Sequence, residues 1–281
     1  MKVIVTGGTG LAGRNVIKEL ANAGHEVYNL DRRQDDSLPC EPMTIDLTQI
    51  GEVYDAFAQI KPEGVCHLAA QPRPIRFSRE RTFINNTAIT YNVFQVAAES
   101  GARRIINSSS EMVAGWTTHP GKRPPIPWDE TTRIDSPNAY SLGKYVSEVM
   151  ADSFVVRHPE LSICSMRISL VIDPDRRVET ISAQQEKHLK AGNSNYWSYV
   201  DGRDLGSAFR AALEGETTGH EVYMLASADT TLQIPIRQAL KQYFGLEDVL
   251  PEHHGTHQSI FDCSKLTRHF GWTSRHTWRD S

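Results

Sequence analysis

Short apolar runs rich in β-branched residues alternate with longer amphipathic segments through the first two thirds of the chain. The short runs predict buried strands over Val3–Val5, Glu26–Leu30, Met43–Ile45, Val65–Leu68, Arg104–Ile106 and Leu161–Ile168. Between them, apolar residues recur at helical spacing and predict helices over Arg14–Ala23, Val53–Ile60, Thr82–Glu99 and Asn138–Arg157. Because strands alternate with helices, we expect an α/β fold with a doubly wound parallel sheet and helices on both faces.

The pattern becomes less regular after Ile168. We predict a charged turn over Asp173–Arg177, a helix over Thr180–Ala191, a strand over Glu221–Leu225 and a helix over Ile234–Phe244. We therefore expect a nucleotide-binding domain over residues 1–168 and a small, mainly substrate-binding region over 169–281, with some elements returning to the first domain. The proline-rich segment Trp116–Pro137 predicts a long surface loop between a strand and a helix.

Composition narrows the class of protein. The 281 residues carry a net charge of −4, which provides no basic field for nucleic acid or a membrane surface. The first residues are too short an apolar run for a signal sequence or a membrane span, so the default expectation is a cytoplasmic metabolic protein. Four scattered cysteines suggest reduced thiols, and His253, His254 and His257 lack supporting carboxylate spacing, so we predict neither a disulfide framework nor a metal site.

A glycine-rich turn follows the first predicted strand and opens the first helix. The pattern Gly8-x-Gly10-x-x-Gly13, with Gly7 adding a second register, is typical of the Rossmann turn that brings a helix N-terminus to a pyrophosphate. We expect a dinucleotide to contact Gly7, Gly10, Leu11, Ala12 and Gly13. Asp31 closes the second strand, where a carboxylate can bind the ribose hydroxyls and favours NAD over NADP. Arg32 and Arg33 leave NADP open, because a guanidinium there can also bind a 2′-phosphate.

Tyr140 and Lys144 lie four residues apart on a predicted helix that Asn138 can cap. A free tyrosine has a pKa of about 10, so action as a base near neutrality needs a shift worth roughly 4 kcal/mol. An ammonium about 4 Å away supplies roughly that amount at an effective dielectric near 20. The serines Ser108 to Ser110 end the fifth predicted strand, where a hydroxyl can orient the reacting oxygen beside the phenol.

Together these residues resemble the extended short-chain dehydrogenase/reductase family, the NAD-dependent epimerase/dehydratase group. The resemblance rests on Thr6–Gly13, Asp31, Asp46-Leu47, His67–Ala70, Ser108–Gly115, Tyr140–Lys144, Tyr199–Asp201, Asp262-x-Ser264-Lys265 and Gly271-Trp272. It implies that Tyr140 is the general base, Lys144 its ribose-binding partner and Ser110 the donor to the substrate hydroxyl. It also implies cofactor contacts from Asp31, Arg32, Asp46, Leu47, Leu68, Ala69, Ala70, Ser108, Tyr140 and Lys144.

Departures from the family pattern bear on the substrate. The dehydratase acid and base positions read Glu111 and Met112, and a thioether cannot abstract a proton, so dehydration is disfavoured. The arginine with which nucleotide-sugar epimerases hold a diphosphate is replaced by Asn195, and a second such region reads Glu252-His253-His254-Gly255. The short substrate region is similar to that of uronate dehydrogenases, which oxidise a free sugar acid. The residues that we expect to bind substrate are Arg73, Ser109, Ser110, Glu111, Arg176 and Arg177, with Arg76 as a further candidate.

We expect an NAD-dependent oxidoreductase that oxidises a hydroxyl of a sugar or sugar acid. The alternative is a UDP-sugar 4-epimerase, in which the cofactor is reduced only transiently. A third reading, a dinucleotide-sensing protein without turnover, is disfavoured because the serine, tyrosine and lysine are all retained. His67 is expected to serve packing rather than catalysis. The helices over Thr82–Glu99 and Asn138–Arg157 correspond to those that often pair across a two-fold axis in the family, so we expect a homodimer.

Overall fold

The computed structural model describes residues 1–72, 78–114, 126–136, 138–191 and 195–280. Its strands are β1 Lys2–Thr6, β2 Glu26–Asp31, β3 Glu41–Thr44, β4 Gly64–His67, β5 Arg104–Ser110, β6 Ser162–Ile168, β7 Leu170–Ile172, β8 Tyr199–Asp201 and β9 Gly219–Leu225. Its helices are α1 Leu11–Asn22, α2 Ile50–Ile60, α3 Arg79–Glu99, α4 Ala139–Arg157, α5 Arg177–Ala191, α6 Gly202–Glu214, α7 Ile236–Phe244 and α8 Ser264–Phe270. None of the helices in these ranges has the length and hydropathy that a membrane span needs.

The central sheet is parallel, with the strand order β3-β2-β1-β4-β5-β6-β9. Strand β1 lies between β2 and β4, so the connections leave it in opposite directions and a crevice opens outside the carboxyl ends of the strands. A separate pair of short parallel strands, β7 and β8, follows the main sheet. The predicted doubly wound α/β fold is therefore confirmed.

The two faces of the sheet bury separate apolar layers because successive side chains of a strand point to opposite sides. In β1, Val3 and Val5 pack with Ile17 of α1 and Phe209 of α6. Ile4, between them in sequence, joins the opposite layer against α2, α3 and α4. Helix α6, which packs with α1 against the face of the sheet that holds Val3 and Val5, was not predicted from the sequence.

A third apolar cluster joins Trp128 to residues from the C-terminal part of the chain, among them Trp197, Ile236 and Phe261. Trp128 is fully buried and stacks on Phe261 with ring centroids 5.5 Å apart. The predicted surface loop Trp116–Pro137 is therefore wrong at Trp128, whose indole anchors this cluster, although residues 126–136 form neither helix nor strand. The residues of that loop before 126, and Pro137, lie outside the described part of the chain.

Most predicted elements match the observed ones within a few residues. The third strand runs over Glu41–Thr44 rather than Met43–Ile45. Asp173 caps a short 3₁₀ helix over Pro174–Arg176, and α5 begins directly after it at Arg177, earlier than the predicted start at Thr180. The short strands β7 and β8 and the helix α8 were also not predicted, since each offers too few residues for a periodic pattern.

Candidate active site

A cavity of about 740 Å³ lies at the carboxyl edge of the sheet. It is lined by the β1–α1 turn, by residues at the ends of β2, β4, β5 and β6, and by the first two turns of α4. Most of the residues that the sequence singled out meet here. They are Gly7, Gly10, Leu11, Ala12, Gly13, Asp31, Arg32, Leu47, Leu68, Ala69, Ala70, Ser108, Ser109, Ser110, Glu111, Tyr140 and Lys144.

The glycine turn has the geometry of a phosphate cradle. Gly7 has φ +71°, a left-handed conformation that side chains rarely adopt. A Cβ on Gly13 would lie 2.3 Å from Gly7 O, so only glycine allows the helix to approach the turn so closely. Gly10 caps α1 without a side-chain hydrogen bond, which leaves the first backbone N–H groups of the helix for a ligand. The turn thus fits the pyrophosphate of a dinucleotide.

Asp31 lies at the end of β2, beside this turn. Its Oδ2 accepts hydrogen bonds from Thr9 N at 3.1 Å and Thr9 Oγ1 at 2.7 Å, and its Oδ1 accepts one from Arg32 N at 2.7 Å. The guanidinium of Arg32 is bound by Asp46, with Nη2 2.7 Å from Oδ1. Asp46 is not among the residues that line the cavity, and its carboxylate meets the cavity lining through the bond with Arg32. Sequence reasoning missed Thr9, which orients the Asp31 carboxylate.

Helix α4 presents the predicted proton-transfer pair to the cavity. Asn138 caps the helix, since Asn138 Oδ1 accepts from Ser141 N at 2.9 Å and Ser141 Oγ accepts from Asn138 N at 3.3 Å. This reciprocal cap places Tyr140 in the first turn, as predicted. Lys144 Nζ lies 5.9 Å from the centre of the Tyr140 ring. The Tyr140 hydroxyl shares a hydrogen bond with Ser110.

The electrostatics of this pair differ from the expectation. Burial raises the pKa of Tyr140, and the Glu111 carboxyl raises it further, while the hydrogen bond with Ser110 lowers it by less. Burial also lowers the pKa of Lys144 to about 8. Lys144 Nζ donates to Ser108 O and, at 3.0 Å, to Ser108 Oγ. The prediction that the lysine alone brings the phenol near neutrality is therefore wrong for the ligand-free protein, because enclosure by protein opposes the phenolate more strongly.

The hydroxyl of the neighbouring serine is bonded to a buried carboxylate. Ser109 lines the cavity, and its Oγ donates to Glu148 Oε1 at 2.5 Å. Glu148 also accepts two bonds from Arg167, from Nε at 3.0 Å and from Nη2 at 2.9 Å. Both charged side chains are about 95% buried. Sequence reasoning missed this pair, although Glu148 lies on the helix face of Tyr140 and Lys144, one turn further along.

Glu111 follows β5 and lines the cavity as predicted, although it is only 7% exposed. Burial raises the pKa of the Glu111 carboxyl to about 8, while its hydrogen bonds with Ser169 and Asn195 lower the pKa by less. Asn195 Nδ2 donates to Glu111 Oε1 at 3.2 Å and to Ser198 O at 2.8 Å. At neutral pH the Glu111 carboxyl therefore carries a proton. Ser169 also lines the cavity and was not predicted.

Two predicted substrate ligands lie away from the cavity. The Arg176 side chain is 72% exposed and pairs with Glu179 at 3.2 Å. Arg177 Nη1 donates to Thr277 O at 3.4 Å. Neither arginine lines the cavity. Arg73 and Arg76 lie outside the described residues.

His67 is a buried packing residue rather than a base. Its Nδ1 lies 2.8 Å from Thr6 Oγ1 and its Nε2 lies 3.1 Å from Thr90 Oγ1, and burial lowers its pKa to about 3. The four cysteines are free thiols, as expected. Within the described residues, no group of histidine, cysteine and carboxylate side chains is arranged to hold a metal ion.

Comparison with known proteins agrees with this geometry. The model of the NAD dependent epimerase/dehydratase family matches residues 3–226. Protein CapI of Staphylococcus aureus is 28% identical over 173 residues, which are 55% of this chain and 49% of CapI, so the chain spans about half of that relative. A UDP-glucose 4-epimerase of Corynebacterium glutamicum is 24% identical over 99% of this chain and 92% of its own length.

Among solved structures, the UDP-glucose 4-epimerase of Thermotoga maritima with UDP-glucose matches with a TM-score of 0.74. The match has 20% identity and covers 99% of this chain and 94% of that one. At this identity the likeness shows a shared fold.

Proposed function

The chain belongs to the NAD-dependent epimerase/dehydratase family, and from that premise we propose that it oxidises a hydroxyl of a sugar or sugar acid with NAD. One observation carries the proposal: Tyr140, Lys144 and Ser110 meet the glycine turn in a single cavity. Chemistry and cofactor recognition therefore share one enclosed volume. The crevice outside the carboxyl ends of the strands is also where open parallel sheets bind their ligands.

In the proposed reaction, the phenolate oxygen of Tyr140 takes the proton of the substrate hydroxyl while a hydride leaves the carbon that bears this hydroxyl. A bound NAD would supply the hydride acceptor, and its positive charge would favour the phenolate form of Tyr140. Ser110, which bonds the Tyr140 hydroxyl, orients the reacting oxygen. Lys144, fixed by two bonds to Ser108, keeps a cation close to the phenol.

The residues at the end of β2 support NAD over NADP as the cofactor. Asp31 lines the cavity at the end of β2 with both carboxylate oxygens fixed by Thr9 and by the backbone of Arg32. A 2′-phosphate placed there would meet this carboxylate. The Arg32 guanidinium is already paired with Asp46, so it is less available to compensate. We expect NAD to support turnover at least about tenfold better than NADP, as roughly 1.4 kcal/mol of differential binding would give.

A UDP-sugar 4-epimerase is the second candidate, because such an enzyme matches nearly the whole chain. Both activities begin with the same oxidation, and they differ in whether the ketosugar leaves or is reduced again on its other face. Within the described part of the cavity lining, the cationic residues are Arg32 and Arg33, which follow Asp31, and Lys144, which is bonded to Ser108. We place the dehydrogenase first because Asn195 stands where nucleotide-sugar epimerases hold the diphosphate with an arginine. A dinucleotide sensor ranks third, since the proton-transfer residues are intact.

The test is a panel of glucose, glucuronate, UDP-glucose and UDP-glucuronate, followed by NADH absorbance and by product chromatography. Net NADH formation supports the dehydrogenase, and isomerisation without net reduction supports the epimerase. Tyr140→Phe should lower kcat by a factor of about 10² to 10⁴ with NAD affinity retained. Tyr145→Phe, on the same helix, is the matched control and should remain active. Full activity of Tyr140→Phe would refute the assigned base.

We also propose that the protein forms a homodimer through α3 and α4. Leu142, Val149 and Val156 recur every seven residues on α4 and are 41%, 48% and 79% exposed. Ile84 and Tyr91 repeat the same spacing on α3, at 51% and 42% exposed. An apolar stripe on each of two adjacent helices suits pairing across a two-fold axis. Val149→Glu should convert the dimer to monomer in light scattering, and a monomeric wild type would refute the proposal.

A further inference from the structure

The side of α4 that packs on the sheet is polar over its first half. Lys144, Ser147 and Glu148 are at most 7% exposed. Ala151 and Phe154 continue the same buried side as apolar residues. Apolar packing is non-directional and fixes the position of a helix along its axis only loosely, whereas a hydrogen bond needs its two atoms about 3 Å apart. The polar contacts therefore decide how far along its axis α4 lies, and where the phenol at its start is held.

The strands beneath α4 offer a matching polar row. Asn107 of β5 and Ser165 of β6 are partners in the register of the two strands, and both side chains are buried. Asn107 Nδ2 donates to Ser165 Oγ and to Ser147 Oγ, each at 3.1 Å. Ser147 Oγ in turn donates to Lys144 O at 2.6 Å. Asn107 thus ties the turn of α4 that begins at Lys144 to two strands of the sheet.

A third strand extends this hydrogen-bond network to the protein surface. The side chain of His220, on β9, is only 4% exposed, and its Nε2 lies 2.9 Å from Ser165 Oγ. Its Nδ1 lies 2.7 Å from Oδ1 of Asp152, which is 71% exposed and lies about two turns after Lys144 on α4. The imidazole therefore bridges α4 and the last strand of the sheet.

The protons of this network have one consistent arrangement when the imidazole is neutral. A carboxylate only accepts, so Asp152 requires the proton of His220 on Nδ1 and leaves Nε2 as an acceptor. Ser165 then donates its hydroxyl proton to Nε2, and its oxygen accepts from Asn107. The second amide proton of Asn107 goes to Ser147, whose own proton goes to the backbone of α4. The opposite tautomer would place a donor against Ser165 and remove the acceptor of its proton.

We propose that His220, held in one tautomer by Asp152, is a positioning residue for Tyr140 and Lys144. It is not among the residues that line the cavity, so it acts through the network rather than on a ligand. The β5 residue at the centre of the network directly precedes Ser108, whose oxygens bind Lys144 Nζ. The network thus fixes the helix backbone beside the same strand residue that fixes the ammonium. This role rests on the proposed function, because it takes Tyr140 to move a proton.

The kinetic test compares two replacements of the imidazole, assayed with whichever panel sugar is turned over. His220→Phe keeps a ring but offers no acceptor, and kcat should fall by a factor of about 10 to 100, the loss expected when a reacting group is displaced by about 1 Å. KM and NAD affinity should stay within about threefold, since the substrate and cofactor contacts remain. His220→Gln, whose amide oxygen can accept from Ser165, should restore kcat to within about threefold of wild type.

His25→Phe is the matched control for loss of a histidine that pairs with a carboxylate. The His25 side chain is 8% exposed, and its Nε2 lies 2.9 Å from Oε1 of Glu214. Glu214 belongs to α6, on the face of the sheet opposite α4. His25→Phe should therefore leave kcat unchanged.

Nitrogen NMR of the histidine-labelled protein at about pH 8, where free imidazole is mostly neutral, measures the tautomer directly. Wild type should carry the His220 proton on Nδ1, and the loss of this signal in His220→Gln assigns it. Asp152→Asn should raise the population protonated on Nε2, because the new amide can donate to Nδ1. An Nε2-protonated ring in wild type, or no change of tautomer in Asp152→Asn, overturns the proposal whether or not a sugar is turned over.

Failure of the positioning role is distinguishable from failure of the function. If Tyr140→Phe is inactive while His220→Phe matches wild type in kcat, or while His220→Gln is no better than His220→Phe, the role is refuted and the function stands. A fully active Tyr140→Phe refutes the function instead. Circular dichroism confirms that each variant is folded. Should His220→Phe not fold, Ser165→Ala removes the same link with a smaller change, and an unchanged kcat then refutes the role.

Discussion

The buried pair of Glu148 and Arg167 holds α4 against the sheet, so removing one partner should disturb both stability and catalysis. The guanidinium makes two bonds to the carboxylate, at 3.0 and 2.9 Å, and a third to Glu130 O at 3.1 Å. Glu148 lies on the same face of α4 as Lys144 and Tyr140, at successive steps of four residues. The decisive perturbation is Arg167→Met, which keeps the stem and deletes the charge.

The expected loss in the free energy of unfolding follows from the burial of both charges. Both side chains are about 95% buried, so Glu148 would keep an unpaired charge out of water, at a cost of about 3–5 kcal/mol. Glu148→Leu should cost a similar amount by stranding the guanidinium. The double variant removes both charges and leaves mainly the Ser109 hydroxyl and Glu130 O without partners. The double variant should therefore lose less stability than the two single variants together. The difference should be at least about 2 kcal/mol in the free energy of unfolding.

Urea unfolding of the wild type, the two single variants and the double variant measures their free energies of unfolding. Steady-state assays of kcat show how the loss of the pair affects the active site. Arg167→Met should lower kcat more than it raises KM, because the displaced helix carries the phenol. Arg176→Met is the matched control, since it removes a guanidinium that pairs with Glu179 at 3.2 Å while both side chains are more than 70% exposed. Such a pair is worth at most about 1 kcal/mol. Additive single losses, or an Arg167→Met loss no larger than that of the control, would refute the reasoning.

Three further predictions test the cofactor turn and the titrating groups. Gly13→Ala places a Cβ 2.3 Å from Gly7 O and should weaken NAD binding at least about tenfold by calorimetry, whereas Gly51→Ala, with no atom within 4 Å of the new Cβ, should bind normally. Lys144→Met should lower kcat by a factor of about 10² or more in steady-state assays, with the circular dichroism of the fold unchanged. The pKa of Glu111, raised to about 8, lies above its unfolded value, so the folded state binds the extra proton and stability falls as pH rises toward 8. Relative to Glu111→Gln, wild type should lose about 1 kcal/mol per pH unit between pH 6.5 and 8 in urea titrations, and parallel curves would contradict the assigned burial.

The parts of the site that lie within one strand–turn–helix unit could be predicted from the sequence. The turn from Gly7 to Gly13 is a local pattern, because its backbone conformation and close contacts require glycine at particular positions. The cap at Asn138 and the spacing of Tyr140 and Lys144 are equally local. Strand order then brought these segments to one edge without further information.

Features that depend on contacts between distant segments were not predictable in the same way. Arg167 reads as one more polar residue of a strand until Glu148 is known to face it. Trp128 lies in a proline-rich stretch without periodicity, and its burial depends on Phe261, far along the chain. Helix α6 has a strongly amphipathic pattern that could have been found, but it begins directly after a three-residue strand.

The pKa of Tyr140 depends on the charges of the other titratable groups in the cavity. Enclosure raises the pKa of Tyr140, so a phenolate there needs a net positive surrounding. Glu111 opposes it when ionised, but with a pKa of about 8 it is mostly neutral at pH 7. Lys144, with a pKa also about 8, is mostly charged at the same pH. Near neutral pH the phenol therefore faces a cation, Lys144, and an uncharged acid, Glu111. As pH rises above 8, Lys144 loses its charge and Glu111 becomes an anion, so both changes disfavour the phenolate. The burial that makes Tyr140 a weak acid in the ligand-free protein thus also removes the nearby anion that would have opposed it.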